Sequence, residues 1–358
     1  MHLLEKVGVL MEEKEFYIGV LCFNEQLGMD LIEKLNQTDE IEDISGQRWK
    51  IKAEHIFIHE VEIGYKSKYK IILDRRSHVL KHARGIMMRY AYSGIHVINN
   101  PMSFYYFMHN KDFGFSMMDE LGVNIPRTFI LPPYITPLTS PEDFRYHLEI
   151  NWDKIASDIG FPCYIKPAAG RGAINVNKAS SLEELRYFYT QSGEEIMTVQ
   201  KAVKSPYNWQ VRCICIGRHI SPIKYIFKPR DRSEYIFDEH FLSPETMRLI
   251  IDTSKLINRA LGYEMNSVEF IIDEQGVPWA IDFNNPVPDG RRKALGEVFY
   301  MDFLDALYKH ILYIVKFKPP YSFLPDLNLF SEIARSPLAR EEKFQKALTL
   351  ATEYYIET

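Results

Sequence analysis

Two short runs late in the chain, Asn266-Ser267-Val268-Glu269-Phe270 and Ala280-Ile281-Asp282-Phe283-Asn284-Asn285-Pro286, are separated by Asp273-Glu274-Gln275-Gly276, and that combination folds in few ways. Val, Ile, Phe and Trp dominate both flanks, as strands require, and the residues between them suit a tight hairpin turn. Antiparallel pairing then returns Asp282 alongside Glu269. Alternate residues of a strand point the same way, so Asp282 and Asn284 share a face. Two carboxylates and an amide oxygen converge, a hard-oxygen set that suits Mg²⁺ and leaves positions for water and substrate phosphates. An acidic residue near a hairpin turn is most often a solvated loop carboxylate, and Glu269 alone would be read that way. Asp282 is different: it lies inside the apolar run from Val277 to Phe283, where an unpaired carboxylate is costly and a cation partner is the better explanation.

At 358 residues the chain is too long for one small core and suits two or three subdomains. A hydrophobic share of 46% with 25% charged residues and no low-complexity tract describes a folded protein, and no repeat at solenoid spacing is present. The net charge of -5 and pI near 6.2 argue against nucleic acid as the main partner, which would call for a basic face. Met1 to Leu10 lacks the basic, apolar, small-residue succession of a signal peptide. Phe303 to Phe317, the most apolar late segment, is interrupted by Asp305, Lys309 and His310. The expectation is a cytoplasmic protein with no membrane partner. Cys22, Cys163, Cys213 and Cys215 all fall in strand-like apolar runs, where packed, reduced thiols are the default, and no second Cys or His cluster completes a zinc site.

Along the chain, strand and helix patterns alternate first. A strand is expected over 16–23, a helix over 25–37, a strand pair around 55–63, a strand over 69–73, a helix opening at Asp74 and reaching about Tyr92, and a strand over 95–98. That alternation predicts a parallel sheet in a Rossmann-like domain spanning 1–100. Carboxyl ends of parallel strands bind ligands in such sheets, which makes Asp74, Arg75 and Ser77 substrate-contact candidates; a helix cap with a charged first turn explains them equally well. Asn99-Asn100-Pro101 marks the boundary. A second region, 101–203, carries a helix over 111–121 closed by Gly122 and strands over 128–131, 163–166, 174–178 and 196–201, with helices over 152–159 and 182–190. A third, 204–316, holds strands over 209–216 and 220–227, a helix over 244–261, the metal hairpin and a helix over 298–315. Beyond it, 317–358 reads as a mixed linker and a helix over 338–355.

One strand ends in Lys166 and leads into Pro167-Ala168-Ala169-Gly170-Arg171-Gly172-Ala173, whose small residues let backbone N–H groups approach phosphate while the lysine faces it. It is no Walker A loop, because no Gly-Lys-Ser/Thr follows and the chain continues into a strand. A β-hairpin turn is the simpler account, and a flap over phosphates is compatible with it.

Lys111, the Gly160-Phe161-Pro162-Cys163-Tyr164-Ile165-Lys166-Pro167 segment, the small-residue loop, Val199-Gln200-Lys201-Ala202-Val203, Arg212, Glu269 and Asp282-x-Asn284 together resemble the ATP-grasp superfamily in order and spacing, over about residues 99–316. Within it the likeness is to carboxylate-amine ligases such as glutathione synthetase and D-alanine:D-alanine ligase. The resemblance implies an α/β fold of α+β ATP-grasp type, an N-terminal Rossmann-like domain followed by two subdomains clasping the nucleotide. It implies that Lys111 and Lys166 hold the triphosphate, that Gly170, Arg171, Gly172 and Ala173 cover it, and that Gln200, Lys201, Ala202 and Val203 bind adenine from a hinge. Glu269, Asp282 and Asn284 would hold Mg²⁺, with Mn²⁺ able to stand in. Arg212 and Arg230 would face the transferred phosphoryl group and the carboxylate oxygens. Separately from the resemblance, the loop Asp289-Gly290-Arg291-Arg292-Lys293 follows the hairpin, where the fork of Arg291 could grip a substrate carboxylate bidentately, a solvated surface loop being the alternative. Asp282 stands where the family more often has glutamate, and Gln200 where it has a carboxylate. The implied activity is ATP-dependent joining of a small carboxylate to an amine through an acyl phosphate. A small-molecule kinase with Asp289 or Asp231 as base, and an ATP-binding scaffold, are the alternatives. A homodimer through the N-terminal domain is the expected assembly.

Overall fold

A computed structural model describes residues 14–22, 25–58, 60–108, 110–135, 150–169, 175–228 and 233–355. The chain divides into two compact units, one made of the described residues of Met1–Pro101, Gly290–Phe323 and Tyr355–Thr358, the other of Met102–Asp289 and Leu324–Tyr354.

In the first unit, β1 (Lys14–Leu21), β2 (Ile41–Glu42), β3 (Arg48–His55), β4 (Ile71–Asp74) and β5 (His96–Ile98) form one sheet in the order β2-β3-β1-β4-β5. Four strands run parallel and β2 is antiparallel at the edge, the parallel sheet that strand-helix alternation predicts. The helix Gln26–Asn36 buries Leu27, Leu31 and Leu35, an apolar stripe at a spacing of four. The helix Arg292–Phe317 belongs to this unit and not with the strands and helix of 204–289, with which chain order grouped it. Tyr300 donates to Asp30 Oδ2 at 2.6 Å, and Lys34 pairs with Asp305. These contacts are more than two hundred residues apart in sequence, a return that local patterning does not reveal. Two local boundaries also differ. The strand expected around 55–63 is Arg48–His55, and the helix expected from Asp74 starts at Lys81, because Asp74 and Ser77 close a turn of their own.

In the second unit a four-stranded sheet has the order β6-β9-β7-β8, made of β6 (Thr128–Leu131), β7 (Cys163–Pro167), β8 (Asn177–Ala179) and β9 (Met197–Lys201). Cys163, Ile165, Met197 and Val199 bury one face against Ile155, Ile159, Leu185 and Tyr189 from the helices Trp152–Ile159 and Leu182–Thr190. The alternate residues Tyr164, Lys166, Thr198 and Gln200 therefore belong to the other face.

The second sheet comprises β10 (Gln210–Ile216), β11 (His219–Ile226), β12 (Glu234–Ile236), β13 (Met265–Ile272) and β14 (Pro278–Asn285), antiparallel throughout in the order β12-β11-β10-β13-β14. Val211, Cys213, Val268, Phe270, Ala280 and Phe283 share a core with the helices Lys111–Glu120, Pro244–Leu261, Leu327–Arg335 and Arg340–Glu353. The sheet's opposite face carries Gln210, Arg212, Glu269 and Asp282. All four cysteines are reduced and buried, and burial pushes the Cys215 thiol up to about 12. They are core residues, as their apolar settings imply. No described helix is long and apolar enough to cross a membrane.

Candidate active site

The hairpin delivers its two carboxylates as the sequence leads one to expect. Glu269 of β13 stands directly opposite Asp282 of β14, and the register is irregular on both sides of that pair, between Ser267 and Glu269 and between Glu269 and Phe270. Asp273 fixes the turn. Its Oδ1 accepts the backbone N–H groups of Gln275 and Val277 at 2.9 and 2.8 Å, and its Oδ2 accepts Trp279 Nε1 at 2.8 Å.

Cations from three elements meet this pair. Lys111, the first residue of its helix and only 8% exposed, donates to both Asp282 oxygens at 3.2 and 3.3 Å. Lys166 donates at 3.0 Å to Gln200 Oε1 and at 3.0 Å to the Ile281 carbonyl, and its ammonium sits 4.8 Å from the Phe115 ring centroid. Burial works to raise the Asp282 carboxyl, but Lys111 and Lys166 outweigh it and hold the group down at about 2. Burial pushes the Lys166 ammonium the other way, down to about 8, against the pull of Asp282.

Arg212 of β10 is registered opposite Glu269 and donates Nε to its Oε1 at 3.0 Å, with Nη2 completing the pair. Gln210 Nε2 reaches the other Glu269 oxygen at 3.2 Å. Burial opposes the Arg212 charge, yet Glu269, Tyr235 and Tyr225 leave the guanidinium more firmly protonated than usual. Asn284 is buried. Its Oδ1 accepts the Tyr263 hydroxyl at 3.2 Å and its Nδ2 has no hydrogen-bond partner, while its backbone N–H reaches Asp282 Oδ1 at 3.3 Å. The oxygen and nitrogen of an amide are assigned from such networks, so the side chain can present either atom at the orphaned position.

Among the hinge residues, Gln200 is buried and its Nε2 donates to Thr128 Oγ1 at 3.0 Å. Lys201, Ala202 and Val203 line a cavity of about 780 Å³ with Phe115, Thr128 and Trp279. Gly170, Arg171, Gly172, Ala173 and Arg230 lie outside the described residues, as does Asp231. Arg291 precedes the helix Arg292–Phe317 in the first unit, as its N-cap residue. Asp74, Arg75 and Ser77 are also in the first unit, and their polar atoms turn inward. Asp74 Oδ1 accepts the N–H groups of Arg76 and Ser77 at 2.9 and 2.8 Å, and Ser77 Oγ donates to Oδ2. Arg75 forks onto Glu25 at 2.7 and 2.5 Å and is 2% exposed.

Sequence reasoning missed Gln210, Tyr225, Tyr235 and Phe115. Period-two alternation from Arg212 would have placed Gln210 on the site's face; nothing local announces the two tyrosines, which arrive by long-range strand pairing.

The fold recurs in solved structures. The RimK domain ATP-grasp protein from Sphaerobacter thermophilus superposes with a TM-score of 0.55 at 14% identity, covering 83% of this chain and 99% of that one. D-alanine-D-alanine ligase from Bacillus anthracis gives 0.55 at 15% identity, covering 84% and 98%. The ATP-grasp ligase PsnB, complexed with a phosphomimetic variant of its minimal precursor, Mg and ADP, gives 0.52 at 15% identity, covering 84% and 100%. The chain has the ATP-grasp fold. No family model matches it. Among curated proteins, the mitochondrial propionyl-CoA carboxylase alpha chain of Caenorhabditis elegans is 25% identical over 146 residues, 37% of this chain and 20% of that one. The Caenorhabditis briggsae protein of the same name is 24% identical over 146 residues. This chain thus spans about 20% of the curated relatives' length.

An ATP-grasp fold implies a divalent cation at the carboxylates, and the residues fit one of a particular kind. No three His, Cys, Asp or Glu side chains cluster among the described residues. Two carboxylates facing Lys111, Lys166 and Arg212 carry a local excess of positive charge, which disfavours a bare cation. A cation accompanied by a polyphosphate would reverse that balance, since phosphates would draw the lysines and free Glu269 and Asp282 to hold the metal. The orphaned Asn284 amide can then turn its oxygen toward the same group.

Proposed function

We propose that this chain is an ATP- and Mg²⁺-dependent ligase that joins a small carboxylate to an amine, forming an amide through an acyl phosphate and releasing ADP and phosphate. The observation that carries this reading is the registered Glu269–Asp282 pair ringed by Lys111, Lys166 and Arg212 on one open sheet face. The ligase names of proteins with this fold support the reaction class. Lys111 and Lys166 neutralise phosphate oxygens, and Gln200 to Val203 hold the base. Glu269, Asp282 and Asn284 would hold Mg²⁺, which supplies charge neutralisation across the phosphates and the developing ADP leaving group. Arg212 stabilises the equatorial oxygens of the transferred phosphoryl group, where positioning and charge account for most of the acceleration.

The step balances without a protein nucleophile. A substrate carboxylate oxygen bonds to the γ-phosphorus as the bond to the ADP oxygen breaks; the amine nitrogen then bonds to the acyl carbon, phosphate departs and the nitrogen loses a proton. Incubation with ATP, Mg²⁺ and a metabolite extract, followed by mass spectrometry, tests this. The expected product is a species equal to an acid plus an amine minus water, formed with ADP. A metabolite gaining only a phosphoryl group would make the protein a kinase. Saturable ATP binding without product would make it a scaffold.

A further inference from the structure

We infer that Tyr235 is a positioning residue for Arg212, holding its guanidinium in the orientation that phosphoryl transfer needs when Glu269 is engaged elsewhere. This rests on the ligase reading above. Arg212 is gripped on three sides. Its guanidinium carbon lies over the Tyr225 ring, 4.4 Å from the centroid, one edge donates Nη1 to the Tyr235 hydroxyl at 2.9 Å, and the opposite edge donates to Glu269. The two tyrosines are a registered cross-strand pair of β11 and β12 with ring centroids 5.0 Å apart. Tyr225 is 4% exposed and held by packing, and Tyr235 is half-buried with its ring against that of Tyr225.

The division of labour follows from what else Glu269 must do. In the structure that carboxylate spends Oε1 on Arg212 and Oε2 on Gln210. A metal-bound nucleotide competes for those same oxygens, and each contact it takes loosens one edge of the guanidinium. A long arginine side chain released at one edge regains rotamer freedom, and a misplaced cation stabilises a transition state poorly. Tyr235 and Tyr225 hold the other edge and the face, and neither is a hard-oxygen metal ligand in this set, so their grip persists through the cycle. The stacking adds an attraction that a desolvated cation feels more strongly than an exposed one. Short and isolated in sequence, β12 is kept in register with β11 by three residue pairs, Tyr225–Tyr235 in the middle. That places the hydroxyl with the accuracy of a sheet rather than of a loop.

The test is a cycle of Tyr235→Phe, Arg212→Lys and the double variant. Three readouts are taken on the whole chain: ADP release from ATP with Mg²⁺ in the metabolite extract that supplies the acceptor carboxylate, calorimetric affinity for a non-hydrolysable ATP analogue with Mg²⁺, and the thermal midpoint. Tyr235→Phe keeps the ring and removes only the acceptor oxygen, so kcat should fall about tenfold while KM for ATP and the analogue's affinity stay within about twofold. In the Arg212→Lys background, which has no fork to orient, the same change should have no further effect. Wild-type turnover in Tyr235→Phe, or an equal loss in both backgrounds, would overturn the inference alone. A loss of kcat that tracks a fall in thermal midpoint would reduce Tyr235 to a structural residue and overturn it too. Wild-type protein with neither ADP release nor analogue affinity would instead overturn the ligase reading, and this inference with it.

Discussion

At the scale of single residues, Lys166 carries the most consequence. A lysine at a strand end is ordinarily solvated, yet this one lies among Phe115, Gln200 and the Ile281 carbonyl, and burial lowers its ammonium to about 8. The charged groups facing it are Asp282, Lys111 and Glu269. Below about pH 8 the ammonium is present to meet a triphosphate; above it, binding must recover a proton, so affinity falls with rising pH by at most about tenfold per unit. Calorimetry of ATP analogue binding across that range should show the decline, and Lys166→Arg, charged throughout, should flatten it. A flat wild-type profile would remove Lys166 from the nucleotide site. For stability the sign reverses: a lysine with a depressed value opposes folding while it is charged, and that opposition fades as pH rises through about 8. Asp282 acts oppositely, its contribution being complete above the ordinary carboxylate range and lost as pH falls through about 2. Lys166→Ala and Asp282→Ala should each lower kcat/KM for ATP by about a hundredfold or more and leave a cooperatively folding protein. Full activity in either would refute the site.

At the scale of elements, the β13–β14 hairpin depends on one turn residue. Asp273 accepts two backbone N–H groups and the Trp279 indole, so Asp273→Ala leaves three donors unsatisfied. It should cost about 1–3 kcal/mol in urea unfolding. Because Glu269 and Asp282 are only three pairs from the turn, a slipped register should also weaken Mg²⁺-ATP affinity, and an unchanged affinity would show that the pair is held from elsewhere. The hairpin was legible because its determinants are local. The same holds for the helices Trp152–Ile159, Leu182–Thr190 and Pro244–Leu261, whose bounds follow from side-chain caps at Asn151, Ser181 and Ser243 and, for the last, a left-handed Gly262. What was not legible lacks such marks. Leu327–Arg335 follows a Pro-Pro pair and has no side-chain cap from Asp326; it is a helix because Phe330 and Ala334 are buried in a core built mostly by distant residues. Tyr225 and Tyr235 join Arg212 only through sheet order, which no window of sequence contains. Glu269, Asp282, Lys111 and Lys166 were read from motif order and then met as neighbours, whereas Asp74, Arg75 and Ser77 lie in the first unit, Asp74 bonded to Ser77 and Arg75 to Glu25.

At the scale of the whole molecule, the chain visits its two units alternately, so neither is a contiguous segment. Gly290–Phe323 returns to the first unit and Leu324–Tyr354 to the second. The second return supplies Phe330, 1% exposed, with Ala334 and Ala347, to the core beneath the carboxylate sheet. Arg340 also bonds the Asp119 carboxylate at 3.0 Å and the Val123 carbonyl at 2.5 Å. Deleting Phe330 alone, as Phe330→Ala, should cost about 3–5 kcal/mol. That is a large part of the roughly 5–15 kcal/mol that holds a typical protein together. The variant should melt earlier yet bind Mg²⁺-ATP with native affinity at low temperature, because Phe330 touches the core side of the sheet and not its open face. Ending the chain after Phe323 removes all of these contacts at once while keeping Gly290–Phe323 of the first unit. The truncated chain should therefore lose nucleotide affinity together with the second unit's thermal transition, measured by calorimetry and circular dichroism. If it bound Mg²⁺-ATP as the full chain does, the C-terminal helices would be dispensable packing, and the core would rest on the sheet with the helices Lys111–Glu120 and Pro244–Leu261.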